Sequence, residues 1–109
     1  MRHEEWQLQQ EVFKALRDKG WVVFHIPNER NGGVADARRM KSGGVVKGAP
    51  DLLVYEPNKK HHWLELKTPT GRRSIEQECM EDIAKKLGID YRVIRSIDDI
   101  KDMCHDKNV

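Results

Sequence analysis

Two short apolar runs, Asp51-Leu-Leu-Val-Tyr55 and His62-Trp-Leu-Glu-Leu-Lys67, flank Pro57-Asn-Lys-Lys60 and constrain the fold more than any other stretch of the chain. β-Branched and aromatic residues favour strands and the Pro-Asn step favours a turn, so the stretch predicts an antiparallel hairpin. Strand alternation puts Asp51, Leu53 and Tyr55 on one face of the first strand, and Trp63, Glu65 and Lys67 on one face of the second. Directly opposed residues share a face. The charged residues therefore meet only if opposed pairs have an even index sum, as when Asp51 faces Glu65 or Lys67. Gly48-Ala-Pro-Asp51 reads as the bend that delivers Asp51 to the sheet, with Gly48 and Pro50 shaping it.

With 109 residues the chain is one domain, 1–109, with a single modest core. Its net charge of +2 is small but unevenly spread: between positions 30 and 47, Arg30, Arg38, Arg39, Lys41 and Lys47 stand against Asp36 alone. Such a segment neutralises phosphates and releases their counterions, which favours a nucleic-acid partner over an acidic protein surface; the plainer reading is a solvated loop. Cys79 and Cys104 have no C-x-x-C spacing and no set of histidine ligands arranged around them, which points to reduced thiols rather than a disulfide or zinc site. Adjacent His61 and His62 would point to opposite faces of a strand and make a poor chelating pair. No apolar stretch is long enough for a bilayer or a signal peptide, so no membrane contact and a cytoplasmic setting are expected.

Residues 4–19 read as an amphipathic helix ended by Gly20, with Leu8, Val12, Leu16, Phe13 and Trp6 in an arc around Glu5. Glu5 and Gln9 thus fall on the apolar stripe, where a carboxylate needs a metal or a cation, or else sits half solvated in the first turn. Residues 21–26 predict a strand, and 28–48 a glycine-rich basic loop with a short helix over 34–40. Ser74 and Gln77 form a capping-box pair opening a helix whose apolar stripe is Ile75, Cys79, Met80, Ile83 and Leu87, up to Gly88. A strand over 91–94 and a helix over 96–104 complete an α/β fold with one central mixed sheet flanked by helices.

Phosphodiester hydrolysis needs a positioned water, a Lewis acid and cover for developing charge. Asp51 and Glu65 are hard oxygen ligands suited to Mg²⁺ or Mn²⁺, and the Leu66 carbonyl is a further candidate ligand. Lys67 can orient or deprotonate the water, and Glu5 is a candidate additional acidic group. Each residue alone is more often an ordinary surface group; the combination carries the reading.

The series Glu5-x-x-x-Gln9, Gly48-x-Pro-Asp51, Glu65-x-Lys67, Gly71 and Ser74-x-x-Gln77, over about residues 4–95, resembles the VRR-NUC branch of the PD-(D/E)XK nuclease superfamily in its small stand-alone form of phages and bacteria. The resemblance implies a restriction-endonuclease-like αβββαβ core and a metal-dependent endonuclease, commonly a homodimer, acting on branched DNA such as Holliday junctions or flaps in a bacterial cell or phage-infected host. By position it makes Asp51 and Glu65 metal ligands, Lys67 the catalytic lysine, Glu5 the helix-borne acid, Gln77 a site-adjacent glutamine and Gln9 a supporting residue. On the helical wheel Glu76 lies nearer the apolar stripe than Gln77 does. Two other classes remain open: a catalytically silent nucleic-acid-binding module with the same fold, and a structural partner protein whose acidic cluster only balances Lys67.

Overall fold

The computed structural model describes residues 3–27, 47–57 and 60–104. The short helix expected over 34–40 and the basic residues Arg30, Arg38, Arg39 and Lys41 lie outside the described residues.

The first amphipathic segment forms α1, His3–Asp18. Leu8, Val12 and Leu16, spaced four apart, are buried along one side and start the core. Trp6, expected in the same arc, is instead 47% exposed, because the three aliphatics fill the stripe and leave the indole at its rim. Gly20 stops the helix at φ 84°, its amide donating to the Arg17 carbonyl at 2.9 Å. That left-handed conformation favours glycine.

Four strands follow: β1 (Val22–His25), β2 (Leu52–Tyr55), β3 (His61–Leu66) and β4 (Asp90–Ile94). They lie in the order β1-β2-β3-β4; the first two pairings are antiparallel and β3–β4 is parallel, so the sheet is mixed. The parallel step needs a crossover, and α2 (Ile75–Lys86) supplies it. The hairpin has the even register: Leu52 opposes Leu64 and Val54 opposes His62. Consequently Leu52, Val54, Leu64 and Leu66 share the face that packs on α1, and alternation turns Glu65 to the other face. A 3₁₀ turn, Ile97–Ile100, and the short α3, Lys101–Cys104, replace the single helix expected at 96–104, and their Ile100 and Met103 join the core.

Ser74 caps α2 as expected: its hydroxyl accepts from the Gln77 amide at 3.1 Å, and Gln77 Oε1 accepts from the Ser74 amide at 2.9 Å. The apolar stripe of this helix, however, does not face the core. Ile75, Ile83 and Leu87 are 74%, 46% and 64% exposed, Cys79 is also exposed, and Ala84 is the buried residue of the helix. The helix is held by its polar side, where Glu81 pairs with Arg73 at 2.8 Å, while small Ala84 permits close approach; the larger apolar groups are turned outward. No described helix is long and apolar enough to cross a membrane.

Candidate active site

Asp51 sits just before β2, where the regular ladder ends. Its amide donates to the Leu64 carbonyl at 2.9 Å, and its Oδ2 accepts from the Leu66 amide at 2.6 Å. Asp51 is thus bonded to the residues on either side of Glu65, and a charge-assisted bond fixes its carboxylate. The bend before it is tightly specified. Gly48 has φ 87°, and a Cβ there would lie 2.6 Å from the Glu76 carbonyl carbon, so this turn can press on the start of α2 only as glycine. Pro50 is buried beside it.

Glu65 is only 1% exposed. A bare carboxylate there would be costly, and the fold surrounds it with donors. Arg73 Nε donates to both Glu65 oxygens at 3.2 Å, Arg73 Nη2 to Oε1 at 3.2 Å, and the Tyr91 hydroxyl to Oε1 at 2.7 Å. Burial works to lower the Arg73 pKa, but Glu65 and Glu81 outweigh it and hold the guanidinium above its ordinary range. Burial first, and then the bond to Glu65, push the Tyr91 phenol up. The sequence reading missed Arg73 and Tyr91; the available signal was a glutamate between Leu64 and Leu66, which demands a counter-charge.

Lys67 follows β3, and its amide donates to the Ile94 carbonyl at 3.0 Å. It lines an open cavity of about 410 Å³ with Glu5, Thr68, Thr70, Gly71 and Arg72. Glu5 of α1 and Lys67 thus line one cavity, whereas Asp51 and Glu65 do not line it. Arg95, also missed, organises the loop at its wall: its Nη1 donates to the Thr68 and Gly71 carbonyls, each at 2.8 Å. Among the described residues, the buried oxygens Gln9 Oε1 and Thr68 Oγ1 have no hydrogen-bond partner, although Gln9 is 6% and Thr68 3% exposed. Orphaned buried polar atoms cost about 1–3 kcal/mol each unless a water or an ion bonds them.

Gln77 and Ser74 are spent on the cap described above, which occupies the Gln77 carbonyl oxygen. Lys47, the described member of the basic set, pairs with Glu76 at 3.3 Å and keeps 81% of its side chain exposed. The carboxyl of Glu76 is held below its usual range by its own backbone hydrogen bond first, and then by Lys47.

Asp51 and Glu65 carry carboxylate oxygens, and Leu66 a carbonyl, of the hard kind that Mg²⁺ or Mn²⁺ prefers, and magnesium needs only one or two carboxylates plus waters. Among the described residues no three His, Cys, Asp or Glu side chains are clustered to hold a metal. The donor chemistry fits such an ion, with Arg73 as the cation already resting on Glu65.

A helix, three strands, a crossover helix and a parallel fourth strand, with Asp51 and Glu-x-Lys at the second and third strands, make this a restriction-endonuclease-like α/β domain. Two solved structures have the same fold. One, named "VRR_NUC domain", superposes with a TM-score of 0.69 at 19% identity, covering 94% of this chain and 95% of its own. The other, a "VRR_NUC domain protein", gives 0.70 at 20% identity over 94% of this chain and 86% of its own. Their names agree with the family that the motif series resembles. No protein-family model and no curated protein matches the chain.

Proposed function

We propose that this chain is a Mg²⁺- or Mn²⁺-dependent endodeoxyribonuclease that hydrolyses phosphodiester bonds in branched DNA, such as Holliday junctions or flaps, and works as a homodimer. The observation that carries the reading is the even register of the hairpin, which brackets Glu65 with bonds to Asp51 and leaves Lys67 beside Glu5 at one cavity. In this reading Asp51, Glu65 and the Leu66 carbonyl hold the ion, and Glu5 is the further acidic group. When bound, the ion supplies Lewis acidity towards a phosphate oxygen. Lys67 orients or deprotonates the attacking water and offsets the charge that develops on the phosphate. Gln9 supports Glu5 from the next turn of α1, and Gln77 offers its amide nitrogen, since its oxygen is held by the cap. Arg30, Arg38, Arg39, Lys41 and Lys47 guide the DNA backbone towards Asp51.

The test is cleavage of a four-way junction and a flap with added Mg²⁺ or Mn²⁺. Asp51→Ala and Lys67→Ala are each expected to lower cutting by about 10²–10³-fold while the protein remains folded; undiminished metal-dependent cutting in both would refute the assignment. A second reading has its own support: Glu65 is already satisfied by Arg73 and Tyr91, as a silent DNA-binding module would allow. Junction binding without cleavage across several metals and substrates would favour it.

A further inference from the structure

The outward stripe of α2 is the largest departure of the fold from what its sequence pattern leads one to expect. Ile75, Cys79, Ile83 and Leu87 are spaced four apart, so they form one continuous ridge about 18 Å long at roughly 1.5 Å per residue. Their exposure leaves a row of apolar surface in water, which marks a contact surface more often than chance. Beside the ridge, Met80 and the Lys47–Glu76 pair help line a groove of about 430 Å³ that can receive a neighbouring side chain.

The charges on the helix select the occupant. The first turn of α2 carries Glu76 and Glu78, and the last turn carries Lys85 and Lys86. A ridge with acid at one end and base at the other is complementary to itself when reversed. We propose that two copies of the chain pair through this face, their α2 helices antiparallel about a two-fold axis that crosses between Cys79 and Ile83. Ile75 then meets Leu87 of the other copy, Cys79 meets Ile83, and each acidic first turn lies against a basic last turn. A parallel arrangement would set like charges and like helix dipoles side by side. This surface gives a physical location to the homodimer of the proposed function, and it rests on that reading only for the identity of the partner. It also ties pairing to the site: Gly48, in the turn leading to Asp51, packs on the backbone of Glu76 at the head of the same helix. The two Asp51 bends would thereby be held at a set spacing.

One ridge falls short of a standard interface of about 1,200–2,000 Å², so pairing is expected to depend on concentration. Light-scattering mass of the full chain, without metal or DNA, tests it from low to high micromolar protein. The expected result is a rise from 12.7 kDa towards twice that mass. Ile83→Glu and Leu87→Glu should each weaken pairing by roughly tenfold or more with an unchanged melting curve, since both positions are exposed. Glu78→Lys alone should weaken it, and Glu78→Lys with Lys86→Glu should restore it, which keeps the test readable if an apolar-to-charge change disturbs the helix. A monomer at every concentration overturns the pairing. A dimer indifferent to all of these substitutions overturns this surface while leaving the homodimer standing, and neither result bears on cleavage.

Discussion

Strand β3 buries two ionisable side chains, Glu65 on one face and His62 on the other, 1% and 4% exposed, and their surroundings differ in kind. His62 has both ring nitrogens 2.7 Å from a carboxylate oxygen, of Asp90 and of Glu56, and its ring stacks on Trp21 at 5.6 Å. Asp90 is tied further to Arg92, which reaches Asp102. Every partner there joins parts of the framework. Glu65 is equally well bonded, yet it also has Asp51 across the hairpin, Lys67 two residues on and, beside Lys67, Glu5 from α1. Burial of a charge is therefore a poor guide to function; the more useful signal is which other ionisable groups gather around it.

The comparison can be broken most forcefully at Lys67. Lys67→Ala should lower metal-dependent cleavage by about 10²–10³-fold with no loss of melting temperature, measured in parallel by gel assay and circular dichroism. Arg73→Ala comes next: it leaves Glu65 buried and uncompensated, at a cost of about 3–5 kcal/mol in denaturant unfolding. Adding Glu65→Gln to it should recover part of that loss. His62→Ala should cost about 2 kcal/mol, since it leaves Glu56 without this partner, takes one of two partners from Asp90 and loses the Trp21 stack, while cleavage per folded molecule stays near wild type. A drop in cleavage without a drop in stability would place His62 with the functional set instead.

Acid should distinguish the two clusters more gently. Burial raises the Asp90 pKa, but bonds from Arg92 and His62 outweigh it and hold the carboxyl below its ordinary 3.8. A depressed carboxylate stabilises the fold above its unfolded pKa, and the contribution fades as pH falls through the lower, folded value. Melting temperature should therefore decline below about pH 4, with a shallower decline in Asp90→Asn. The smallest effect is at exposed Lys47: Lys47→Gln should leave melting unchanged and reduce the salt slope of DNA binding by about one.

How much of this was legible follows from what local pattern encodes. The hairpin and its register were readable because alternation has period two, so requiring Asp51 and Glu65 on one face leaves only even pairings. Gln9 was readable from the wheel, and it is buried. Arg73 was not, because it reaches Glu65 across a loop and no periodicity links the two. The stripe of α2 is legible in the sequence but its direction is not: spacing reveals that an apolar face exists, whereas its orientation follows from Arg73 gripping Glu81 and from the small side chain of Ala84.

The central claim is that the hairpin carrying Asp51, Glu65 and Lys67 is a metal-dependent nuclease site. Incubating the purified chain with a labelled four-way junction in Mg²⁺, in Mn²⁺ and in EDTA, beside Lys67→Ala, tests it most directly. The expected result is cutting by the wild type with either metal, none in EDTA, and cutting by the variant reduced by about 10²–10³-fold with either metal. Cutting that persists in EDTA, or that Lys67→Ala retains in full, would contradict it.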